Sequence, residues 1–180
     1  TFLVYPTCMC PCNSRRPQVE HTYALFEGQY GIMNEWQLAM GESTCAARFW
    51  SAPVSAGGKA RIEVKELSKI ALERCKTARC AIEMMGDMAV KYGMYAADWS
   101  GGDVSKGEGG EALTVIDKEE AWVFHILSDD TGASAVWAAQ RVPDDHVSAM
   151  LCLVCYETYP RGSDEIGPAR LWRALVDGSS

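Results

Sequence analysis

The pattern of apolar and polar positions divides the chain into an irregular start, a strand region, a helical region and a second strand region. Residues 1 to 18 show no period and contain three prolines. From His21 the chain turns β-prone: His21-Thr-Tyr-Ala-Leu-Phe runs to Glu27-Gly28, a turn signal. Tyr30-Gly-Ile-Met, Asn34-Glu35 and Trp36-Gln-Leu-Ala-Met then predict two short strands around a tight polar turn at Asn34-Glu35. The first strand should start near Tyr30 and the second should run from Trp36 to Met40. Residues 51 to 60, with Pro53, Gly57 and Gly58, read as a loop.

The period then lengthens. Val64, Leu67, Ala71, Cys75, Ala78, Ile82, Met85, Ala89 and Tyr92 fall three or four apart and draw one apolar stripe. Thr77 is a good N-cap for a helix starting at Ala78, so two helices or one kinked helix are expected, with Gly93 as the stop. Residues 98 to 110, rich in Gly and Asp, read as a loop. Three further strands follow, Ala112 to Ile116, Trp122 to Leu127 and Ala135 to Arg141, with Asp117-Lys-Glu-Glu as the first turn. In the middle strand Trp122, Phe124 and Ile126 alternate with Val123, His125 and Leu127, so both faces are apolar and the strand belongs in a layered architecture. His125 reads as a core or edge histidine, since no partner for it stands nearby in the sequence. After Pro143-Asp-Asp-His146 come a short apolar burst, Met150 to Tyr156, and a possible terminal helix, Ala169 to Val176.

Charge narrows the function classes. A net charge of −7 and a pI near 5.0, with no basic stripe, argue against nucleic-acid binding. No apolar run approaches the length of a membrane helix, and the Thr-Phe-Leu-Val-Tyr-Pro start, without a basic leader, does not read as a signal peptide. The eight cysteines are not spaced as in a small stapled scaffold, so free thiols in a reducing compartment such as the cytoplasm are the expectation.

Three blocks carry a resemblance. They are Pro17-Gln-Val-Glu-His-Thr-Tyr with Gly31-Ile-Met-Asn-Glu-Trp-Gln-Leu-Ala-Met-Gly-Glu-Ser-Thr; Gly110-Glu-Ala-Leu-Thr-Val-Ile-Asp with Glu120-Ala-Trp-Val-Phe-His-Ile-Leu; and Ala135-Val-Trp-Ala-Ala-Gln-Arg-Val-Pro-Asp-Asp-His-Val-Ser. In order and spacing they resemble the dipeptidase and secernin family, peptidase family C69, itself similar to the choloylglycine hydrolases. The resemblance covers residues 17 to 149, taken as a partial dipeptidase-like domain between divergent tails at 1 to 16 and 150 to 180. It implies an α+β fold, the αββα sandwich of the N-terminal-nucleophile hydrolases, incomplete in this chain. It also implies cysteine-type hydrolysis of dipeptides or small amides, without metal or cofactor.

In that chemistry a free α-amino group, titrating near pH 8, serves as base for its own thiol, and fixed donors hold the oxyanion. By resemblance Asn34 matches the asparagine that helps to build the oxyanion site; as a residue it is equally a turn former. The segment carrying the nucleophile and the Arg-Asn motif after it are expected to be missing here. Cys8, Cys10 and Cys12 are poor substitutes, because none heads a strand with an Arg-Asn pair downstream, and Thr1 is another, because its spacing to the Asn34-Glu35 block is wrong. Met150-Leu151-Cys152-Leu153 departs from the family at the other end, and Cys80 stands where the family tends to have Glu. Uncovered strands would then leave Trp122, Phe124 and Trp137 exposed and stability marginal. Two other readings stay open: a non-catalytic binding protein on the same scaffold, and a zinc-binding thiol module built from Cys8, Cys10, Cys12, Cys152 and Cys155.

Overall fold

The three-and-four spacing produces two helices, α1 (Val64–Arg74) and α2 (Ala78–Tyr92), separated by the short corner Cys75-Lys76-Thr77. Thr77 caps α2 as its sequence predicts: its side chain accepts a hydrogen bond from the Cys80 amide at 3.3 Å. Gly93 ends α2, its N–H donating to the Ala89 carbonyl. These features come from a computed structural model that describes residues 19–45, 47, 49–96 and 109–145.

The strands are β1 (Leu25–Glu27), β2 (Gly31–Asn34), β3 (Ala39–Cys45), β4 (Ile62–Glu63), β5 (Met94–Tyr95), β6 (Gly110–Ile116), β7 (Ala121–Ser128) and β8 (Ala135–Val142). Six of them form one antiparallel sheet in the order β1-β2-β3-β6-β7-β8, while β4 and β5 make a small parallel pair. The long connection from β3 to β6 carries both helices. A single Val54–Ala56 turn of 3-10 helix interrupts the loop expected at 51 to 60.

Alternation decides which face of the sheet is covered. Leu113 lies opposite Phe124, and Val115 lies opposite both Met40 and Trp122. These side chains meet Leu67, Leu72, Ile82 and Met85 of the helices in one buried core. The fold class is α+β, with an antiparallel sheet and two helices. The aromatics expected to be uncovered are not: Phe124 is 0% exposed, and Trp122 and Trp137 are half-buried against the same core. They point towards the helices, not towards open solvent. Phe26, Trp36, Phe49 and Trp50 are the exposed large aromatics among the described residues.

Helix α2 approaches the sheet closely at Gly86. A Cβ built there would lie 2.2 Å from the Trp137 indole, so no larger residue fits without moving that ring. The cost of a mid-helix glycine, about 1 kcal/mol, is offset here by the packing it allows.

The cysteines differ from expectation. Cys75 and Cys80 form a disulfide across the α1–α2 corner, with Cα atoms 5.6 Å apart. The helix cap holds the two residues within bridging reach, a proximity that residue counting does not reveal. Cys45 is buried, its Sγ 3.9 Å from the Ser43 carbonyl oxygen. Cys8, Cys10, Cys12, Cys152 and Cys155 lie outside the described residues. No helix among the described residues is long and apolar enough to cross a membrane.

Candidate active site

The β2–β3 hairpin places Asn34 at the end of a strand, in the turn position its sequence predicts. The loop is longer than the two residues Asn34-Glu35 suggested. The Gln37 amide donates to the Asn34 carbonyl at 3.0 Å, and the Asn34 amide donates to the Leu38 carbonyl at 2.9 Å. Gln37 has φ +66°, so Glu35-Trp36-Gln37 is a three-residue turn ending in a left-handed residue, and β3 starts at Ala39 instead of Trp36. A left-handed non-glycine residue costs about 1 kcal/mol. Gln37→Gly is therefore expected to raise the urea midpoint by an amount equivalent to about 1 kcal/mol. An unchanged or lowered midpoint would argue that the exposed Gln37 side chain contributes something the backbone does not reveal.

The Asn34 side chain does not open onto a cleft; it is 4% exposed and fully engaged. Its Nδ2 donates to the carbonyls of Leu72 at 2.8 Å and Cys75 at 2.7 Å. Its Oδ1 accepts from the amides of Trp36 at 3.0 Å and Leu38 at 3.2 Å. One side chain thus closes the turn and satisfies two carbonyls at the C-terminal end of α1, which have no partner within the helix. The Tyr23 amide takes a third, donating to the Glu73 carbonyl at 2.8 Å. At the other end of β2, the Gly31 amide donates to Ser68 Oγ at 2.9 Å, and a Cβ on Gly31 would meet the Leu72 side chain at 2.6 Å. Above the turn, Lys76 Nζ lies 4.0 Å from the Trp36 ring centroid, and Tyr23 meets Trp36 edge to face.

The N-terminus of α2 receives a matching cap from the β6–β7 turn. Asp117 accepts the Ala78 amide on one carboxylate oxygen at 2.7 Å and the Glu119 and Glu120 amides on the other at 2.8 Å each. Partial burial pushes the Asp117 carboxyl up, but these three donors outweigh it and hold the group below its ordinary value. A carboxyl with a depressed folded value adds stability above its unfolded value, about 4, and loses that contribution as pH falls through the folded value. In urea unfolding, the stability advantage of the native chain over Asp117→Asn is therefore expected to shrink below about pH 4. A pH-independent difference between the two proteins would sink this account of the cap.

His125 lies on the sheet face opposite the helices, in a row with Ala112 and Ala138 on the neighbouring strands. Burial holds its imidazole below the ordinary value. Among the described residues no cluster of His, Cys, Asp and Glu is arranged to hold a metal ion. The hydrogen bonds of Ser68 to Gly31 and of Asp117 to Ala78 are not read from the sequence, although a serine on an apolar helix face and an Asp opening a strand turn are signals that could have found them.

A family model described as Peptidase family C69 matches residues 21–159, more than half of the chain. The chain belongs to peptidase family C69. The match spans every described strand and helix, so the hairpin, the Asn34 staple and the helix corner are all parts of the C69 region. It runs on past residue 149, to Tyr159. Of the cysteines described in this C69 chain, Cys45 is buried and Cys75 and Cys80 are bonded to each other, so none presents an accessible thiol.

Proposed function

We propose that the chain serves the hydrolysis of dipeptides as a cysteine-type exopeptidase on an N-terminal-nucleophile scaffold. Membership of peptidase family C69 is the observation that carries this reading. The second layer of the sandwich would lie on the sheet face bearing Ser43, Ala112, His125 and Ala138, a row of mostly small side chains that allows close approach. Asn34 would serve the oxyanion site by fixing the Glu35-Trp36-Gln37 turn, since its own two amide hydrogens are given to Leu72 and Cys75.

That same occupancy of Asn34, with the lack of an accessible thiol among the described cysteines, favours a second reading, a non-catalytic binder of dipeptides on the same scaffold. Incubation with a panel of unmodified dipeptides separates the two. Release of free amino acids, abolished by thiol alkylation, supports the peptidase; saturable binding without release supports the binder. Neither release nor binding over the panel rejects both.

A further inference from the structure

We propose that Cys75–Cys80 is a reversible thiol–disulfide site, a latch on the corner that holds the Asn34 turn, opened by a dithiol reductant. Three observations meet at this point. Cys75 carries both the bond to Cys80 and the carbonyl that accepts Asn34 Nδ2 at 2.7 Å. Cys75 is fully buried, whereas Cys80 is half-buried in the first turn of α2, so Cys80 is the more exposed end of the bond and the one an incoming thiolate would attack. Each side of the corner is also held without the bond: Asn34 and Tyr23 cap α1, and Thr77 and Asp117 cap α2.

The exchange balances. A thiolate of the dithiol attacks Cys80 Sγ and expels the Cys75 sulfur, which takes a proton. The second thiolate of the reductant then attacks its own sulfur in the mixed disulfide and releases Cys80 as a thiolate in the first turn of α2, where the helix N-terminus favours negative charge. Two electrons pass to the cysteines, and the dithiol leaves as a disulfide. Because Tyr23, Thr77 and Asp117 hold the corner whether or not the bond is closed, the two thiols stay close enough to re-form it when an oxidant returns. What changes is the grip on the last turn of α1 and, through the Cys75 carbonyl, on the amides of Trp36 and Leu38 that Asn34 Oδ1 accepts. The inference concerns the thiol state of the corner and holds for either reading of the function.

The test uses the whole chain, first oxidised and then treated with millimolar dithiothreitol without denaturant. Mass spectrometry after thiol labelling reads Cys75 and Cys80, and amide hydrogen exchange reads Trp36 and Leu38. Both cysteines are expected to become labelled while the β6 and β7 amides stay protected. The Trp36 and Leu38 amides should exchange at least about tenfold faster, and removing the reductant in air should reverse the change. Cys80→Ser, a substitution at a half-buried site, should reproduce the fast exchange without reductant. A bond that is reduced only when the whole sheet loses protection overturns the proposal. So does reduction, or Cys80→Ser, that leaves Trp36 and Leu38 exchange unchanged.

Discussion

Asn34→Ala is expected to destabilise the chain by about 3–5 kcal/mol, at the upper end for a single polar side chain. The change removes four hydrogen bonds at a position that is 4% exposed. It leaves the Leu72 and Cys75 carbonyls and the Trp36 and Leu38 amides without their partner, and a buried group so abandoned costs about 1–3 kcal/mol. Asn34→Asp keeps the shape and sharpens the test. Its second oxygen would face two carbonyl oxygens where Nδ2 now donates, which disfavours the ionised form and raises the folded pKa of the new carboxyl. Stability of this variant should be greatest below the unfolded value, about 4, fall as pH rises to the folded value, and stay flat above it. Chemical denaturation of the three proteins across pH reads both effects. If Asn34→Ala unfolds within about 1 kcal/mol of the native chain, water has replaced the amide and the staple is not structural.

Phe124→Ala is expected to cost about 3–5 kcal/mol. The ring is 0% exposed, sits opposite Leu113 on β6, and lies 5.7 Å from the Trp137 ring in a tilted arrangement. Its loss leaves a cavity between sheet and helices, which the close approach at Gly86 prevents α2 from collapsing to fill. The measurement also decides between two pictures of β7. If this face lay open, as the sequence alone suggested, truncating the ring would remove little burial and cost next to nothing.

What the sequence revealed and what it hid follow from the range of the interactions concerned. The stripe from Val64 to Tyr92, the Thr77 cap and the Gly93 stop are all set by near neighbours, and both helices appear where the spacing puts them. The three later strands, from 110 onwards, shift by only a residue or two at their ends for the same reason. The left-handed Gln37 was hidden, because glutamine is not a residue that announces such a backbone. The commitment of the Asn34 side chain to α1 was hidden too, since its partners lie 38 and 41 residues away. Which face of β7 receives the helices is equally silent in a strand that is apolar on both sides. The disulfide needed the corner to be built before Cys75 and Cys80 could be seen as neighbours.

The long reach of those caps shapes how the chain acquires its structure. Cys75 waits for Asn34, and Ala78 for an aspartate 39 residues downstream. Helices of 11 and 15 residues are marginal on their own in water. Helix α1 gains those partners only once the β2–β3 hairpin upstream has closed, and α2 gains its aspartate only once the β6–β7 turn downstream has formed, so the ordering cost of long loops falls before the helices are secure. Folding should therefore proceed as one concerted, non-local event in the slower range of small domains, with the helical signal and the sheet signal rising together. A fragment holding the two helices without the 31–45 and 110–128 strands would remain largely uncoiled.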